Sequence, residues 1–476
     1  MNNSNLLNTI NLLQSHFPFE PTDDQNELIK IIAQYFIYKD SNAIMLIKGY
    51  AGTGKTTSVV ALVNAFKMAN CKSVLLAPTG RAAKVLSSYS KKQASTIHRK
   101  IYYTDTGDGF FNFTLQKNKH KNTFFIVDEA SMISNNANNV GTNISNKQQL
   151  LDDLISYVFN DENCRLIFIG DSAQLPPIGL DIGQALDTKY LKTRYNCEIF
   201  EHELKKVVRQ AKTSGILHNA TLLRLQIEKK SANLPFFQNK SFPDFNKING
   251  ETLEDELNST FLTNLENSIL ITRSNKRANL YNEEIRKRIL YKEERISAGD
   301  LIMVVKNNYY WLTKKSKASF IANGDIVEIL NITNIQEIYG FTFADARIRL
   351  IDYPEELDFD VKILLDTLDY ESPNLPFEQQ KILYSRISED YTHIPSHYLR
   401  HQKVMKDPFL NALQIKFAYA ITCHKAQGGQ WDNVFIDQGY IPVDGINTDY
   451  LKWLYTAITR SSKNVYLINF NEKFFE

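Results

Sequence analysis

The sequence has little cysteine and little glycine, and both shortages are informative. Its 4 cysteines, Cys71, Cys164, Cys197 and Cys423, lie far apart and form no C-x-x-C pair. This spacing argues against both a disulfide framework and a zinc site. The 19 glycines among 476 residues amount to about 4%, below the usual ~7%. A cluster of glycines therefore indicates a local demand on the backbone.

Long apolar runs and a strong net charge are also absent. No run approaches the ~18 apolar residues that a membrane helix needs, and the polar start at 1–13 lacks the pattern of a signal peptide. We therefore expect a cytoplasmic protein without a membrane partner. The 55 lysines and arginines against 53 acidic residues leave a net charge of +2. Bulk charge thus gives no argument for nucleic-acid binding, although a local basic track is not excluded.

What the chain does contain is a pattern of short apolar runs separated by helical segments. Four runs in the first 200 residues and four later ones have this texture, which is typical of parallel strands covered by helices on both faces. The pattern predicts an α/β fold with two parallel-sheet cores, the second one split. The runs are Ala43–Ile47, Ser73–Ala77, Thr123–Val127, Arg165–Ile169, Ser268–Thr272, Leu413–Ile421, Val434–Ile436 and Val465–Ile468.

Two segments depart from this texture. Ile296–Pro408 carries the turn signals Gly299–Asp300 and Gly324–Asp325 and alternating runs, which predict a small β-rich insertion. Ile101–Lys121 holds two glycines between aromatic residues and predicts a hairpin. The domain boundaries expected from these patterns are 1–205, including a hairpin at 101–122, then 206–295 with 409–476, and an insertion at 296–408.

Gly49–Thr57 matches the pattern G-x-x-x-x-G-K-[ST], directly after a predicted strand and before a predicted helix. Such a loop wraps a phosphate chain with backbone N–H groups, while its lysine, Lys55, reaches the outer phosphates. Thr56 is placed to offer a hydroxyl to Mg²⁺. The sequence therefore predicts a nucleotide site, with contacts from Gly52, Thr53, Gly54, Lys55, Thr56 and Thr57.

Polar residues at two further strand ends extend this prediction. Asp128 and Glu129 follow an apolar strand, where they suit a metal-shell carboxylate and a base for the attacking water. Gln174 follows the next strand and can sense a γ-phosphate. Arg209 and Arg460 lie near predicted cores; arginines in such sites stabilise the transferring phosphoryl group, although a single arginine is most often a surface ion pair.

The ordered set of motifs resembles superfamily 1 helicases, specifically their RecD/Dda-like branch. The resemblance runs from about Pro21 to Asn469. The matching stretches are Gly49–Thr57, Ala77–Lys84, Ser95–His98, Asp128–Ser131, Gly170–Pro177, Val207–Gln210, Asn323–Asp325, Thr422–Gly428 and Tyr455–Arg460. The resemblance implies two RecA-like domains, ATP with Mg²⁺ in the cleft between them, and single-stranded DNA across their top. It also implies 5′→3′ movement, the polarity of that branch.

The resemblance also assigns roles to individual residues. It gives Lys55 and Thr56 to phosphate and Mg²⁺, Asp128 and Glu129 to metal and water activation, and Gln174 to γ-phosphate sensing. Arg209 and Arg460 are expected to reach across from the second domain. Gln25 fits the position that reads adenine, although a helix start capped by Thr22 or Asp23 explains it nearly as well. The residues that fit DNA-backbone contacts are Thr79, Thr96, His98, Thr422 and His424.

Some alternatives stay open at the level of sequence. Either histidine can instead be a hydrogen-bonding core residue. Phe110, Phe111 and Phe113 fit either a strand-separation pin or the core of their own hairpin. The insertion resembles an SH3-like 2B domain at Gly299–Met303 and Asn323–Val327, while 352–401 matches nothing.

The favoured function is a monomeric, ATP-dependent 5′→3′ DNA helicase acting on single-stranded DNA and on single-strand/duplex junctions, with a role in DNA repair or recombination. One alternative is a nucleic-acid-stimulated translocase, or an RNA-directed member of the same superfamily, without processive DNA unwinding. A kinase or a switch protein is a third reading. It needs no second arginine-bearing core, so Cys423–Gly428 and Tyr455–Arg460 argue against it. We see no motif for a fused nuclease.

Overall fold

The structure is a computed structural model. It describes residues 3–475 except 18, 41, 106–111, 136–148, 161, 178, 208–212, 232, 313–315, 317–319, 354 and 442–444.

Helices and strands alternate along most of the described chain. The strands are β1 Ala43–Gly49, β2 Lys72–Ala77, β3 Ala94–Thr96, β4 Tyr102–Asp105, β5 Asn112–Leu115, β6 Thr123–Val127, β7 Arg165–Gly170, β8 Glu198–Leu204, β9 Phe245–Ile248, β10 Ser268–Thr272, β11 Leu301–Val304, β12 Ile326–Ile338, β13 Phe341–Leu350, β14 Phe359–Leu364, β15 Leu413–Phe417, β16 Ala420–Thr422, β17 Trp431–Asp437 and β18 Ser461–Ile468. The helices are α1 Asn3–Ser15, α2 Asp23–Ile37, α3 Lys55–Met68, α4 Gly80–Ser90, α5 Ile97–Ile101, α6 Leu150–Val158, α7 Thr188–Tyr195, α8 Gly215–Glu228, α9 Leu253–Phe261, α10 Asn275–Glu284, α11 Phe377–Asp390, α12 His397–Met405, α13 Cys423–Ala426 and α14 Thr448–Ile458.

A six-stranded sheet with the order β3-β2-β6-β7-β1-β8 organises the first 204 residues, and all its described pairings are parallel. Alternate residues of β1 face opposite sides: Ile44 and Leu46 enter one buried cluster, and Met45 and Ile47 enter another. Apolar residues on both faces explain why this strand reads as a continuous hydrophobic run. The sheet and helices α1 to α7 are called the first unit below.

A second parallel sheet has five strands in the order β16-β10-β17-β18-β9. It carries α8, α9, α10, α13 and α14, and together these elements are called the second unit. Its edge strand β9 spans only Phe245–Ile248, of which the first and the last residue are buried. It was not predicted from the sequence, because so short a segment without alternation gives little signal. The α/β fold with two parallel sheets is confirmed.

Between the two halves of the second unit lies a closed barrel of β11, β12, β13, β14 and β15. Its pairings are antiparallel except that between β14 and β15, which is parallel. The run predicted as one strand over Leu413–Ile421 is divided, because Leu413–Phe417 closes the barrel and Ala420–Thr422 joins the second sheet. The insertion therefore ends after Phe417 rather than at residue 408.

The barrel carries an outgrowth in the segment that matched nothing in sequence. The far ends of β12 and β13 extend beyond the barrel, and α11 and α12 pack against them. Phe343, Leu383, Ile387 and Val404 form the buried centre of this small core. A separate antiparallel pair, β4 with β5, projects from the first unit. Phe110 and Phe111 lie outside the described residues, as does the side chain of Phe113.

Within the described chain, no helix combines the length and the apolar character that a membrane crossing demands.

Candidate active site at the junction of the two units

The phosphate-loop motif forms the turn between β1 and α3. Gly52 and Gly54 adopt φ values of +73° and +91°, in the left-handed region where glycine carries no steric cost. A side chain on Gly52 would also meet Leu217 of α8, since an added Cβ would lie 3.0 Å from its Cδ2. The residue before α3 is Gly54, which has no side chain to bond to the first N–H groups of the helix. The first N–H groups of the helix therefore face the loop, as an anion site requires.

Lys55 lies inside this loop. Its Nζ donates to the carbonyl oxygens of Gly49 at 2.7 Å and Tyr50 at 2.9 Å. The same ammonium is 3.5 Å from Oδ2 of Asp171, which follows β7 and is almost fully buried. The lysine thus occupies the centre of the loop through contacts that phosphate oxygens can replace. Thr56 and Thr57 begin α3 beside it, the first exposed and the second half-buried.

The two carboxylates predicted for metal and water chemistry follow β6. Oδ1 of Asp128 accepts the N–H of Glu129 at 2.9 Å, and Oδ2 accepts the hydroxyl of Tyr89 from α4. Glu129 has a φ of +52°, an uncommon conformation for a residue with a side chain and one that is frequent at functional sites. Burial raises the pKa of both carboxyl groups, while the charge of nearby Lys55 opposes the rise.

Gln174 and Ser131 supply unpaired polar atoms beside these charges. Oε1 of Gln174 and Oγ of Ser131 are buried and have no hydrogen-bond partner among the residues that the structure describes. Buried polar atoms without a partner are costly in a folded protein. The Gln174 oxygen suits a water that donates to it, and the Ser131 hydroxyl can donate to a phosphate oxygen. Together with the Lys55 loop, the Thr56 hydroxyl and the Asp128 carboxylate, they fit a nucleotide triphosphate with a bound Mg²⁺.

Arg460 of the second unit faces the carboxylate of Glu129. Its Nη1 lies 3.8 Å from Oε1 of Glu129, and the guanidinium is also fixed by the carbonyl oxygens of Gly429 and Thr456. The positive charge lowers the pKa of Glu129 against the effect of burial. The structure therefore brings this predicted arginine to the acid pair. Arg209, the other predicted arginine, lies outside the described residues.

Several residues that the sequence did not single out also join the two units here. The hydroxyl of Tyr455 donates to Oδ2 of Asp171 at 2.7 Å and accepts the N–H of Ala51 at 2.8 Å. Beside it, Leu175 N–H donates to Oγ1 of Thr456 at 2.8 Å. Tyr455 and Asp171 lie within stretches that match the helicase motifs, and this match is the only hint of them in the sequence. Their contact joins residues 284 positions apart, which no local pattern can predict.

Gln25 takes part in a capping box rather than standing free. Thr22 caps α2, its Oγ1 accepting the N–H of Gln25 at 3.3 Å, while Oε1 of Gln25 accepts the N–H of Thr22 at 3.0 Å. The helix start predicted as the alternative is therefore present, with Thr22 as the cap. The neighbouring Asp24 accepts the N–H of Lys205 at 2.6 Å, which ties this helix to the segment that follows β8.

The residues predicted to contact DNA follow strands on one side of the two sheets. Thr79 and Thr96 follow or end β2 and β3 at one edge of the first sheet, and Thr422 ends β16 at an edge of the second. Thr79 and Thr96 cap α4 and α5, accepting the N–H groups of Ala82 and Arg99. Thr422 precedes α13 without such a bond.

The two histidines differ in their surroundings. Burial lowers the pKa of His98 to about 4, and its ring lies 5.7 Å from that of Tyr102. This imidazole is neutral at physiological pH and suits the core reading as well as a contact to DNA. The side chain of His424 is exposed at the start of α13, although partial desolvation lowers its pKa too.

Comparisons with known proteins agree with this arrangement. A family model described as an AAA domain matches residues 22–241, and one described as a UvrD-like helicase C-terminal domain matches residues 417–468. Together they cover more than half of the chain. The ATP-dependent DNA helicase Dda of Enterobacteria phage T4 is 24% identical over 94% of this chain and 99% of its own length. An uncharacterised protein of Acanthamoeba polyphaga mimivirus is 25% identical over 90% of this chain and 96% of its own.

Two further helicases are similar to this chain, one in sequence and one in structure. The ATP-dependent RecD2 DNA helicase of Deinococcus radiodurans is 27% identical over 37% of this chain and 22% of its own length. Among solved structures, Pif1 helicase from Bacteroides in complex with ADP-AlF3 and single-stranded DNA superposes with a TM-score of 0.46 at 14% identity, over 96% of this chain and 95% of that one. The two domain matches and the end-to-end similarity to Dda support a relationship of this chain to the superfamily 1 helicases of the RecD/Dda-like branch.

Proposed function

We propose that this protein is an ATP-dependent DNA helicase that moves 5′→3′ along single-stranded DNA and unwinds duplex at a junction, acting as a monomer in the cytoplasm. The observation that carries this proposal is the ion pair of Arg460 with Glu129 across the two units. A nucleotide held at this junction touches both units at once, so its binding and hydrolysis change how the units meet.

The residues of the loop and of the strand ends divide the chemistry among them. Lys55 and the N–H groups of the loop hold the phosphates, and Thr56 with Asp128 holds Mg²⁺. ATP with its metal supplies the phosphoryl group that water attacks. Glu129 takes the proton of that water, a role that suits a carboxyl whose pKa is raised by burial. Gln174 orients groups around the terminal phosphate.

Charge that develops during hydrolysis is met from the second unit. Arg460, and in this proposal Arg209, stabilise the transferring phosphoryl group; such arginines raise kcat by about 10³–10⁵. Gln25 is the residue proposed to read the adenine. Since Arg460 already faces Glu129, its release from that carboxylate is part of nucleotide binding.

The units correspond in this proposal to the domains of a superfamily 1 motor. The first unit is RecA-like domain 1A, with the β4–β5 hairpin as insertion 1B. The second unit is RecA-like domain 2A, and the barrel is an SH3-like domain 2B. Thr79, Thr96 and His98 grip the DNA backbone from domain 1A, and Thr422 and His424 grip it from domain 2A. Backbone contacts suit a motor because they tolerate every sequence.

The proposal is tested with duplexes that carry either a 5′ or a 3′ single-stranded tail. We expect unwinding of the 5′-tailed duplex with ATP and Mg²⁺, and none of the 3′-tailed one. The Lys55→Ala variant should lose hydrolysis and unwinding but keep most of its DNA binding, because the Lys55 ammonium contacts the phosphate loop and Asp171 and none of the proposed DNA contacts among the described residues. Unwinding of only the 3′-tailed duplex contradicts the polarity.

Hydrolysis assays with different nucleic acids separate the alternatives. Stimulation by RNA equal to that by single-stranded DNA favours the RNA-directed reading, and stimulation without strand separation favours a translocase. A Phe110→Ala/Phe111→Ala double variant that unwinds normally contradicts the reading of these phenylalanines as a strand-separation pin. It leaves the proposed motor function unaffected.

A further inference from the structure

Helix α4 connects the proposed DNA grip with the metal-site carboxylate. It starts behind the Thr79 cap and ends at Ser90, so its 11 residues extend about 16 Å at 1.5 Å per residue. Ala82, Ala83 and Leu86 bury one side of it. A short helix packed in this way moves as a rigid body, because displacing one end alone breaks hydrogen bonds along its length.

The beginning of α4 is surrounded by other parts of the molecule. An added Cβ on Gly80 would lie 2.5 Å from Oδ1 of Asp325 and 2.9 Å from the hydroxyl of Tyr353, both in the barrel insertion. An added Cβ on Gly428, in the second unit, would lie 3.2 Å from Oγ1 of Thr79. Any ligand that occupies this end of α4 therefore displaces these neighbours or moves the helix.

The last turn of α4 reaches the acid pair. The hydroxyl of Tyr89 donates to Oδ2 of Asp128, and its ring packs against the buried cluster that includes Leu75 and Leu86. The other carboxylate oxygen, Oδ1, accepts the N–H of Glu129, which is the next residue in the sequence. Tyr89 belongs to α4, whose cap, Thr79, is a proposed DNA contact. Glu129 does not belong to an element with such a contact.

We propose that Tyr89 is a positioning residue that couples the occupancy of the α4 N-terminus by the DNA backbone to the placement of Asp128. A shift of α4 on DNA binding carries the Tyr89 hydroxyl with it, and this reorients the carboxylate that holds the metal. The coupling is reciprocal, so Mg²⁺-nucleotide changes DNA affinity by the same factor by which DNA changes nucleotide affinity. This inference rests on the proposed function.

Equilibrium binding tests the coupling without relying on hydrolysis. The full chain is titrated onto fluorescently labelled single-stranded DNA, with and without Mg²⁺ and a non-hydrolysable ATP analogue, and the ratio of the two Kd values is the coupling factor. Such factors are typically about 5–150. We expect Tyr89→Phe to bring this ratio close to 1 while the Kd without nucleotide stays the same, since phenylalanine keeps the ring and removes only the hydroxyl.

Ser88→Ala is the matched control, because Ser88 is the exposed neighbour on the same turn of α4 and should keep the wild-type ratio. A parallel readout is the single-stranded-DNA stimulation of kcat, which should fall in Tyr89→Phe and not in Ser88→Ala. A Tyr89→Phe ratio equal to that of the wild type overturns the coupling, as does an equal loss of nucleotide affinity with and without DNA. Wild-type protein that binds no DNA overturns the proposed function itself.

Discussion

At the scale of single residues, the candidate site is held by charges that are already paired with one another. Lys55 bonds to its own loop, Asp171 bonds to Tyr455, and Arg460 faces Glu129. A triphosphate offers Lys55 anionic oxygens in place of neutral carbonyl groups, and it offers the Arg460 guanidinium a further anionic partner. These contacts thus hold the side chains near the positions that the proposed chemistry requires.

Tyr455→Phe should weaken nucleotide binding, because the lost hydroxyl bridges Asp171 and the N–H of Ala51. Removing one partner of a buried hydrogen bond costs about 1–3 kcal/mol, so we expect KM for ATP to rise about fivefold or more. Steady-state hydrolysis measures it. Tyr450→Phe is the control, since this tyrosine of the same helix bonds instead to Gln438; an equal rise of KM in both variants contradicts a specific bridge.

Much of the residue-level site could be predicted from sequence, because the strand–loop–helix context of Gly54 and Lys55 is local. Gln174 and Arg460 were identified by motif, and the structure brings Arg460 to the acid pair. Tyr455 was not assigned a role, since its partner lies 284 positions away and no local pattern announces such a contact. Tyr89 was missed for the same physical reason.

At the scale of elements, strand prediction succeeded where both faces of a strand are buried. It failed for β9, which is short, and for the run over Leu413–Ile421, whose first part turns away to close the barrel. Apolar character alone cannot tell which sheet a strand will join, because barrel and sheet bury similar residues. Helices α11 and α12 were not predicted, since they have only a narrow buried face, represented by Leu383, Ile387 and Val404.

The contact between the barrel and α4 should depend on pH through Asp325. Burial, with the nearby charge of Asp352, raises the pKa of Asp325 to about 8, while an unfolded aspartate ionises near ~3.9. The folded protein therefore holds a proton that the unfolded chain has lost, and stability falls as pH rises between these values. Asp325→Asn removes this loss, so the variant's advantage in unfolding free energy should grow from pH 5 to pH 8, at up to about 1.4 kcal/mol per pH unit.

Denaturant titrations at several pH values measure that trend. Asp360→Asn is a suitable control, because Asp360 lies on strand β14 of the same barrel and its side chain is 79% exposed. An Asp325→Asn curve that runs parallel to the wild type at all pH values contradicts a proton held at this contact.

At the scale of the whole molecule, both units contribute to one site. Ligand binding therefore affects the stability of the junction between them. The core of the second unit is continuous with Ala173 and Leu175 of the first, so the junction is packed as well as charged. A ligand that binds only the folded protein stabilises it by an amount set by its concentration relative to Kd. A ligand whose terminal phosphate meets Arg460 therefore stabilises the junction more than one that lacks this group.

This difference predicts the behaviour of Arg460→Ala in thermal unfolding. For the wild type, we expect a non-hydrolysable ATP analogue with Mg²⁺ to raise Tm more than ADP does, at concentrations that saturate equally. In Arg460→Ala the extra rise should vanish, because the guanidinium that faces Glu129 is the group proposed to meet the added phosphate. Lys452→Ala is the matched control: Lys452 also crosses the junction, donating to the carbonyl oxygen of Asp181 at 2.6 Å, and its loss should lower Tm while preserving the difference between the two nucleotides. An Arg460→Ala protein that still separates the two nucleotides shows that the second unit does not read the terminal phosphate through this residue.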